Sequence, residues 1–323
     1  MSHPPLAPIA TLYGVPESAL HPLRGGHSAH TYGFSQGGSE YVLRLTPPDD
    51  EIDVTAQRAI LAWMHFLATH GATVPEPIAS QNGQFIEVIP HEDGQYLAVV
   101  FTRAKGVLSE ELSLDQWDDN LYDALGRAIG RMHAIARGYV PTEGLRRPDW
   151  DVASSLFNRP RLSESWLAPK QAPILKHLQS LPRTAEGYGL IHADLHFGNF
   201  FVDVPSRIIT ILDFDDCCYG WYAMDLAMLL FDVLVLYVGQ ERDAFARRFM
   251  RNLLKGYRAE NTLDAFWLDQ LPYFCKLLEI DIYDEVQPYY AAQDTDWWGN
   301  KFMPGRRERI ENDVPYIDFT LAS

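Results

Sequence analysis

The stretch WYAMDLAMLLFDVLVLYVG, residues 221–239, constrains the fold of this chain more than any other segment. Its length and apolarity approach those of a membrane span, but Asp225 and Asp232 interrupt it. A bilayer crossing needs about 20 predominantly apolar residues, and carboxylates inside it are costly. The better reading is a helix buried within a large lobe. The chain is long enough to supply that lobe. At 323 residues and roughly 150 residues per domain, it makes one large domain or two lobes. A chain of this length buries about three quarters of its unfolded surface.

Charge narrows the possible partners. Lys and Arg total 27 against 43 Asp and Glu, a formal net charge of −16. Such a balance argues against broad binding to nucleic acid or anionic membrane, which attract basic surfaces. It leaves room for a small polyanion held by a local cluster or a metal ion. Cys217, Cys218 and Cys275 make neither a disulfide framework nor a CxxC metal knuckle, and are expected as reduced, core-filling thiols. The N-terminal MSHPPLAPIA lacks the basic and apolar regions of a signal peptide, so a cytoplasmic protein is expected.

The first hundred residues read as strand-rich. HTYGFSQ (30–36) and SEYVLRLTP (39–47) flank Gly37-Gly38, a hairpin signal. In the second strand, Tyr41, Leu43 and Leu45 alternate with Val42 and Arg44. A helical pattern over 54–70 carries Ile60, Leu61, Met64 and Leu67 on one face and ends at Gly71. Strands follow at 84–89 and 95–102. After residues 101–106 the pattern becomes mainly helical, at 114–137, 172–181, 221–238, 241–258 and 262–287. Residues 1–101 are thus expected as a small β-rich lobe and 102–323 as a large helical lobe, with a hinge near 101–106. A cleft between such lobes is the natural ligand site.

One strand–loop–strand island, GLIHADLHFGNFFVD (189–203) followed by RIITILDFDD (207–216), concentrates the polar chemistry. If the apolar runs 200–202 and 208–212 pair as a hairpin, Asn199 and Asp213 become neighbours. An amide oxygen and a carboxylate so placed suit Mg²⁺, which keeps several waters and binds through substrate phosphates. Asp194 lies across the loop, where it can take a proton from an attacking hydroxyl. A metal clamp and a base that orients the nucleophile are parts that phosphoryl transfer needs.

His-x-Asp-x-x-x-x-Asn followed by Asp-Phe-Asp resembles the catalytic core of the aminoglycoside phosphotransferase and choline kinase group. The resemblance extends to YVLRLTPP, AVVFTRAKG, LGRAIGRMHAIA and YAMDLAMLLF, and is nearest the stress-response kinase and homoserine-kinase-like branch. It implies an α+β, two-lobed protein-kinase-like fold, with a small antiparallel β-rich N-lobe and a mainly helical C-lobe. It also implies an ATP- and Mg²⁺-dependent phosphotransferase. By the same resemblance Asp194 is the catalytic base and Asn199 and Asp213 are metal ligands. His192 braces the loop, and Asp225 hydrogen-bonds the loop from the next helix. Asp215 either joins the metal site or caps the following turn, and Asp216 is structural. Arg44 stands where the family usually has Lys on its third strand, facing the nucleotide phosphates. Gly25, Gly26 and Ser28 would cover those phosphates, and the backbone near Phe101 and Arg103 would meet adenine. One departure stands out: Ile60 occupies the helix position where the family places a Glu to orient the cation.

The acceptor is expected to be a small alcohol, an amino alcohol, homoserine or an aminoglycoside-like molecule, or a protein Ser/Thr, and the chain a monomer or homodimer. Two alternatives stay open. His192, Asp194 and His196 alternate like zinc ligands, as in a metal-dependent hydrolase. Arg44 with Ile60 also fits a catalytically weak nucleotide-binding regulator. Two further segments are expected to be solvated: the acidic 279–290, whose carboxylates and aromatics would otherwise suit a cationic substrate, and the basic group Arg306, Arg307 and Arg309.

Overall fold

Gly37 and Gly38 both adopt positive φ, 59° and 83°, the mirror-image turn whose twist matches paired strands. They close the expected hairpin with Gln36 opposite Ser39. The computed structural model describes residues 4–23, 29–48, 53–92, 94–153, 162–237 and 239–318. The chain divides into two units, Met1–Lys105 with Tyr139–Arg146, and Gly106–Gly138 with Arg147–Ser323. The first therefore runs slightly past the expected boundary at 101 and recaptures 139–146, where the Tyr139 ring packs 5.1 Å from that of Phe66.

The first unit comprises α1 (Leu6–Leu12), β1 (His21–Pro22), β2 (His30–Gln36), β3 (Ser39–Thr46), α2 (Val54–Thr69), β4 (Pro77–Ile78), β5 (Glu87–His91) and β6 (Gly94–Thr102). Among the described residues its sheet is antiparallel in the order β1-β2-β3-β6-β4, with β5 also on β6. The strands expected at 84–89 and 95–102 shift to β5 and β6 because His91 pairs directly with Gly94. One sheet face carries Phe34, Leu43, Leu45, Tyr96, Ala98 and Val100, packed with Ile9, Tyr13 and Ile89. Alternation sends Arg44 to the other face, opposite Val99 in register, where it is half-buried. Asp53 starts α2 by accepting the N–H groups of Thr55 at 2.8 Å and Ala56 at 3.0 Å.

The second unit contains β7 (Val107–Leu108), α3 (Asp119–Ala136), α4 (Trp150–Ala153), α5 (Ala168–Gln179), β8 (Tyr188–Ile191), β9 (Phe200–Asp203), β10 (Ile208–Ile211), β11 (Cys218–Trp221), α6 (Tyr222–Leu236), α7 (Arg242–Glu260), α8 (Ala265–Leu268), α9 (Leu271–Ala291), α10 (Trp297–Phe302) and α11 (Arg306–Glu311). Every α6 residue from Tyr222 to Val235 is buried, both carboxylates included. No helix among the described residues is long and apolar enough to cross a membrane. All three cysteines are buried and free.

Two solvated-surface expectations fail in part, although Arg307 and Glu285 are exposed. Glu279, Asp281 and Asp284 are buried. Glu279 meets Lys276 at 2.7 Å and Arg306 at 2.6 Å, Asp281 accepts from Gln171, and Asp284 accepts the Ser163 N–H at 2.8 Å. Arg306 thus belongs to an ion cluster between α9 and α11, while Arg307 and Arg309 keep exposed side chains, 54% and 38%. The cluster is possible because each buried charge is met by an opposite charge or a hydrogen-bond donor.

Helices α3 and α7 cross with almost no side chain between them. A Cβ on Gly126 would lie 1.9 Å from the Leu253 carbonyl oxygen, and one on Gly256 would lie 1.8 Å from that of Asp123. Backbone atoms cannot swing aside as a flexible side chain would. Alanine is intrinsically the better helix former by about 1 kcal/mol. Gly256→Ala is nonetheless expected to lower stability by about 2 kcal/mol in urea unfolding, because the helices must separate. A gain in stability would show that the approach is not tight.

Candidate active site

Two hairpins bring two loops together at both ends. In one, β8 pairs with β11 so that Ile191 faces Cys218; in the other, β9 pairs with β10 so that Phe200 faces Ile211. The loop 192–199 joins β8 to β9, and the segment 212–217 joins β10 to β11. The Leu212 N–H donates to the Asn199 carbonyl at 2.9 Å, continuing the β9–β10 pairing and placing Asn199 opposite Leu212, the residue before Asp213.

Asp194 sits between these loops with its side chain 39% exposed. Asn199 Nδ2 donates to the Asp194 carbonyl at 2.9 Å and to its Oδ2 at 3.0 Å. With both amide hydrogens spent on Asp194, the Asn199 Oδ1 is the atom left to serve a cation. Asp213 adopts a left-handed backbone with φ 57°, a conformation non-glycine residues seldom take without surrounding constraint. Asp213 is exposed and Asp215 is half-buried. Partial burial and the charges of Asp194, Asp213 and Asp215 push the Asp216 carboxyl up to about 6, against the pull of His192. This crowding of negative charge, beside an amide oxygen, fits a hard divalent cation with oxygen ligands.

The zinc alternative fails on hydrogen bonding. His192 is fully buried. Its Nε2 donates to the Leu212 carbonyl at 2.7 Å and its Nδ1 accepts the Asp194 N–H at 3.3 Å. Both ring nitrogens are spent, so His192 braces the loop and cannot also ligate. Among the described residues, no group of three or more His, Cys, Asp or Glu side chains is placed to hold a metal ion. His196 accepts the Gly198 N–H on Nδ1 at 3.0 Å, and its Nε2 lies 3.6 Å from Asp194 Oδ2. Burial lowers its pKa, but the Asp194 hydrogen bond and the charges of Asp194, Asp232 and Asp213 outweigh this and leave it raised.

Asp225 holds the start of the loop from α6. Its Oδ2 accepts the His192 N–H at 3.0 Å and its Oδ1 accepts that of Ala193 at 2.9 Å. Ala193 is in the left-handed region, φ 65°, a strain that the Asp225 bond helps to hold. His133 Nε2 donates to Asp225 Oδ2 at 2.9 Å, and its Nδ1 lies 3.0 Å from the Tyr257 hydroxyl.

Two residues that hold the loops escape sequence reasoning. Asp232 accepts the Phe197 N–H at 2.8 Å. Its spacing of seven residues from Asp225, two helical turns, was the available signal. Arg147 braces the second loop, donating from Nε to the Cys217 carbonyl at 2.7 Å and from Nη2 to that of Asp215 at 2.9 Å. An arginine far away in sequence that binds loop carbonyls carries no motif.

The remaining expected residues lie elsewhere in the chain. Gly25, Gly26 and Ser28 fall outside the described residues. Arg44, Phe101 and Arg103 belong to the first unit. Phe101 pairs with Val42 and Pro77, and the Arg103 N–H donates to the Glu40 carbonyl at 3.0 Å. Ile60 is buried within α2, which carries no carboxylate between Val54 and Thr69.

Because Asp225 is buried and satisfies three donors, Asp225→Ala is expected to cost about 3 kcal/mol or more in urea unfolding. An unchanged midpoint would mean that these donors find other partners.

Comparison with known proteins agrees with this constellation. The family model described as the phosphotransferase enzyme family matches residues 19–263. Amicoumacin kinase of Bacillus subtilis (strain 168) is 30% identical over 330 residues, covering 98% of this chain and 94% of that protein. A homoserine kinase of Gluconobacter oxydans (strain 621H) is 26% identical over 262 residues, covering 76% and 78%. A structure of amicoumacin kinase in complex with AMP-PNP, Ca²⁺ and Ami aligns with a TM-score of 0.83 at 28% identity, covering 97% of this chain and 94% of that one. The two-lobed, α+β kinase-like fold and the phosphotransferase motifs therefore have one explanation: the chain belongs to the phosphotransferase enzyme family and is a kinase.

Proposed function

We propose that this kinase transfers the γ-phosphate of ATP, with a divalent cation, to a hydroxyl of a small amino-bearing alcohol. The observation that carries the reading is the Asp194–Asn199 hydrogen bond at 3.0 Å, with Asn199 bonded to Leu212, the residue before Asp213, at the hairpin end. Asp194 would orient the acceptor hydroxyl and take its proton at a carboxylate oxygen. Asn199 and Asp213, with Asp215, would hold the cation, Mg²⁺ in the cell. When bound, such a cation neutralises charge on the transferring phosphoryl group. The solved relative bound to AMP-PNP and Ca²⁺ supports this pairing of nucleotide and metal.

Arg44 is assigned to the nucleotide phosphates, where its planar fork suits bidentate contact. Since Arg103 N–H is spent on Glu40, adenine would be read by the backbone just beyond it, at Ala104 and Lys105. The acceptor class follows from the relatives, which are named for amicoumacin and homoserine. A second reading, a weakly catalytic nucleotide-binding regulator, draws on the missing carboxylate in α2. Radiolabelled γ-phosphate transfer to homoserine, other amino alcohols, amicoumacin and aminoglycosides tests both. Transfer to one of them supports the kinase reading, whereas ATP affinity without transfer to any supports the regulator.

Asp194→Asn keeps an acceptor for Asn199 Nδ2 but loses the base. Turnover is expected to fall by about 10²–10⁴-fold, with nucleotide affinity within a few-fold of wild type. Near-wild-type turnover would overturn the assignment. Asp213→Ala removes a charged ligand, so the rise in melting temperature on adding Mg²⁺ and AMP-PNP is expected to shrink sharply. An unchanged rise would place the cation elsewhere.

A further inference from the structure

We infer that Asp232 and Trp298 form a positioning pair for the second half of the catalytic loop, which makes α10 part of the catalytic apparatus. The inference rests on the reading of Asp194 as the base. Phe197 lies between Asp194 and Asn199 in sequence, and its backbone is gripped at both polar atoms. Its N–H donates to Asp232 Oδ2 at 2.8 Å, and its carbonyl accepts from the buried Ser109 hydroxyl. Its ring is buried against Trp117, 4.8 Å between centroids. The loop is therefore tied to α6 twice, by Asp225 at residues 192–193 and by Asp232 at residue 197. Two helical turns on one rigid rod separate the two ties, and Asp194 lies between them in sequence.

The second oxygen of Asp232 explains why a carboxylate stands here. Trp298 Nε1 donates to Oδ1 at 2.8 Å. Two N–H donors, one from the loop and one from α10, converge on a side chain that is 6% exposed. An amide has a single acceptor oxygen and would turn its NH₂ toward one of them. Only the ionised acid accepts both. Burial pushes the Asp232 carboxyl upward, while the Phe197 and Trp298 N–H groups and the charge of His196 pull against it. Trp298 is itself fixed. It stacks on Phe302 at 5.3 Å, and Phe302 packs on Phe231 of α6 at 5.7 Å. Asp296 caps the helix by accepting the Gly299 N–H at 2.8 Å. A short helix about one hundred residues downstream of the loop thus sets where Phe197, and through it the loop, comes to rest.

The test uses the full chain and four variants: Asp232→Asn, Trp298→Phe, their combination, and Asp194→Asn. Turnover is read as γ-phosphate loss from Mg·ATP, with the acceptor found above or with water. Nucleotide affinity is read with Mg·AMP-PNP, and loop order by amide exchange over 194–199. Asp232→Asn is expected to lower kcat by about 10- to 100-fold, the scale of a small misplacement, while affinity stays within threefold and exchange at Phe197 rises at least tenfold. Trp298→Phe is expected to lower kcat several-fold. Adding it to Asp232→Asn should restore part of the lost kcat, because the single amide oxygen is then free for Phe197. A contribution to stability alone predicts additive losses. The proposal is overturned if Asp232→Asn has wild-type kcat and exchange while Asp194→Asn is inactive, or if the double variant is slower than Asp232→Asn. Should the Asn variants fail to fold, Trp298→Phe decides, and wild-type kcat and exchange there overturn it. If Asp194→Asn keeps its turnover, or the wild type shows none, it is the base assignment that fails.

Discussion

The carboxylate of Asp225 is the interaction on which the site depends. It is buried, it belongs to a helix with no solvent-facing side from Tyr222 to Val235, and it accepts hydrogen bonds from His192, Ala193 and His133. An uncompensated charge in that position would cost several kcal/mol. Compensation comes from the loop it organises, so the helix and the loop stabilise each other. Ala193 in a left-handed backbone is tolerable only under such restraint. The phosphotransferase chemistry thus stands on a carboxylate that touches no substrate.

The same economy recurs around the loop. His192 spends both ring nitrogens on backbone, Asn199 spends both amide hydrogens on Asp194, and Arg147 spends its guanidinium on two carbonyls. These commitments fix the loop geometry around Asp194, the residue proposed above as the base. Preorganisation of this kind avoids reorienting groups at the moment of reaction.

Packing in the second unit follows a different rule. At the α3–α7 crossing Gly126 and Gly256 leave room for backbone to approach backbone. Close approach lets Lys255 of α7 reach Asp123 of α3 at 3.0 Å across the seam, while Arg127 meets the same carboxylate at 2.7 Å from within α3. His133 and Tyr257, one from each helix, then reach each other beneath it and pass the alignment to Asp225. The site is held from behind by helix packing as much as by its own loops.

Much of the fold was legible in the sequence because its signals are local. The Gly37-Gly38 turn, the alternation in β3, the α2 periodicity and its Gly71 stop depend on neighbours within a few residues. So does the hairpin that brings Asn199 to the residue before Asp213, since two apolar runs joined by a short turn have one sensible register. The unread features are those where a side chain meets something distant. Glu279, Asp281 and Asp284 looked solvated because nothing nearby in sequence announces Arg306, Gln171 or Ser163. His192 and His196 looked like a metal pair because alternation in sequence does not record that both His192 nitrogens face backbone. Asp232 looked like an interruption in an apolar run, although Phe197 and Trp298 give it two donors. Residue types and local spacing therefore determined the elements and the segments that hold Asp194, Asn199 and Asp213. Tertiary structure alone decided which buried charges are paired and with whom, because a hydrogen bond is short-ranged in space and indifferent to separation along the chain.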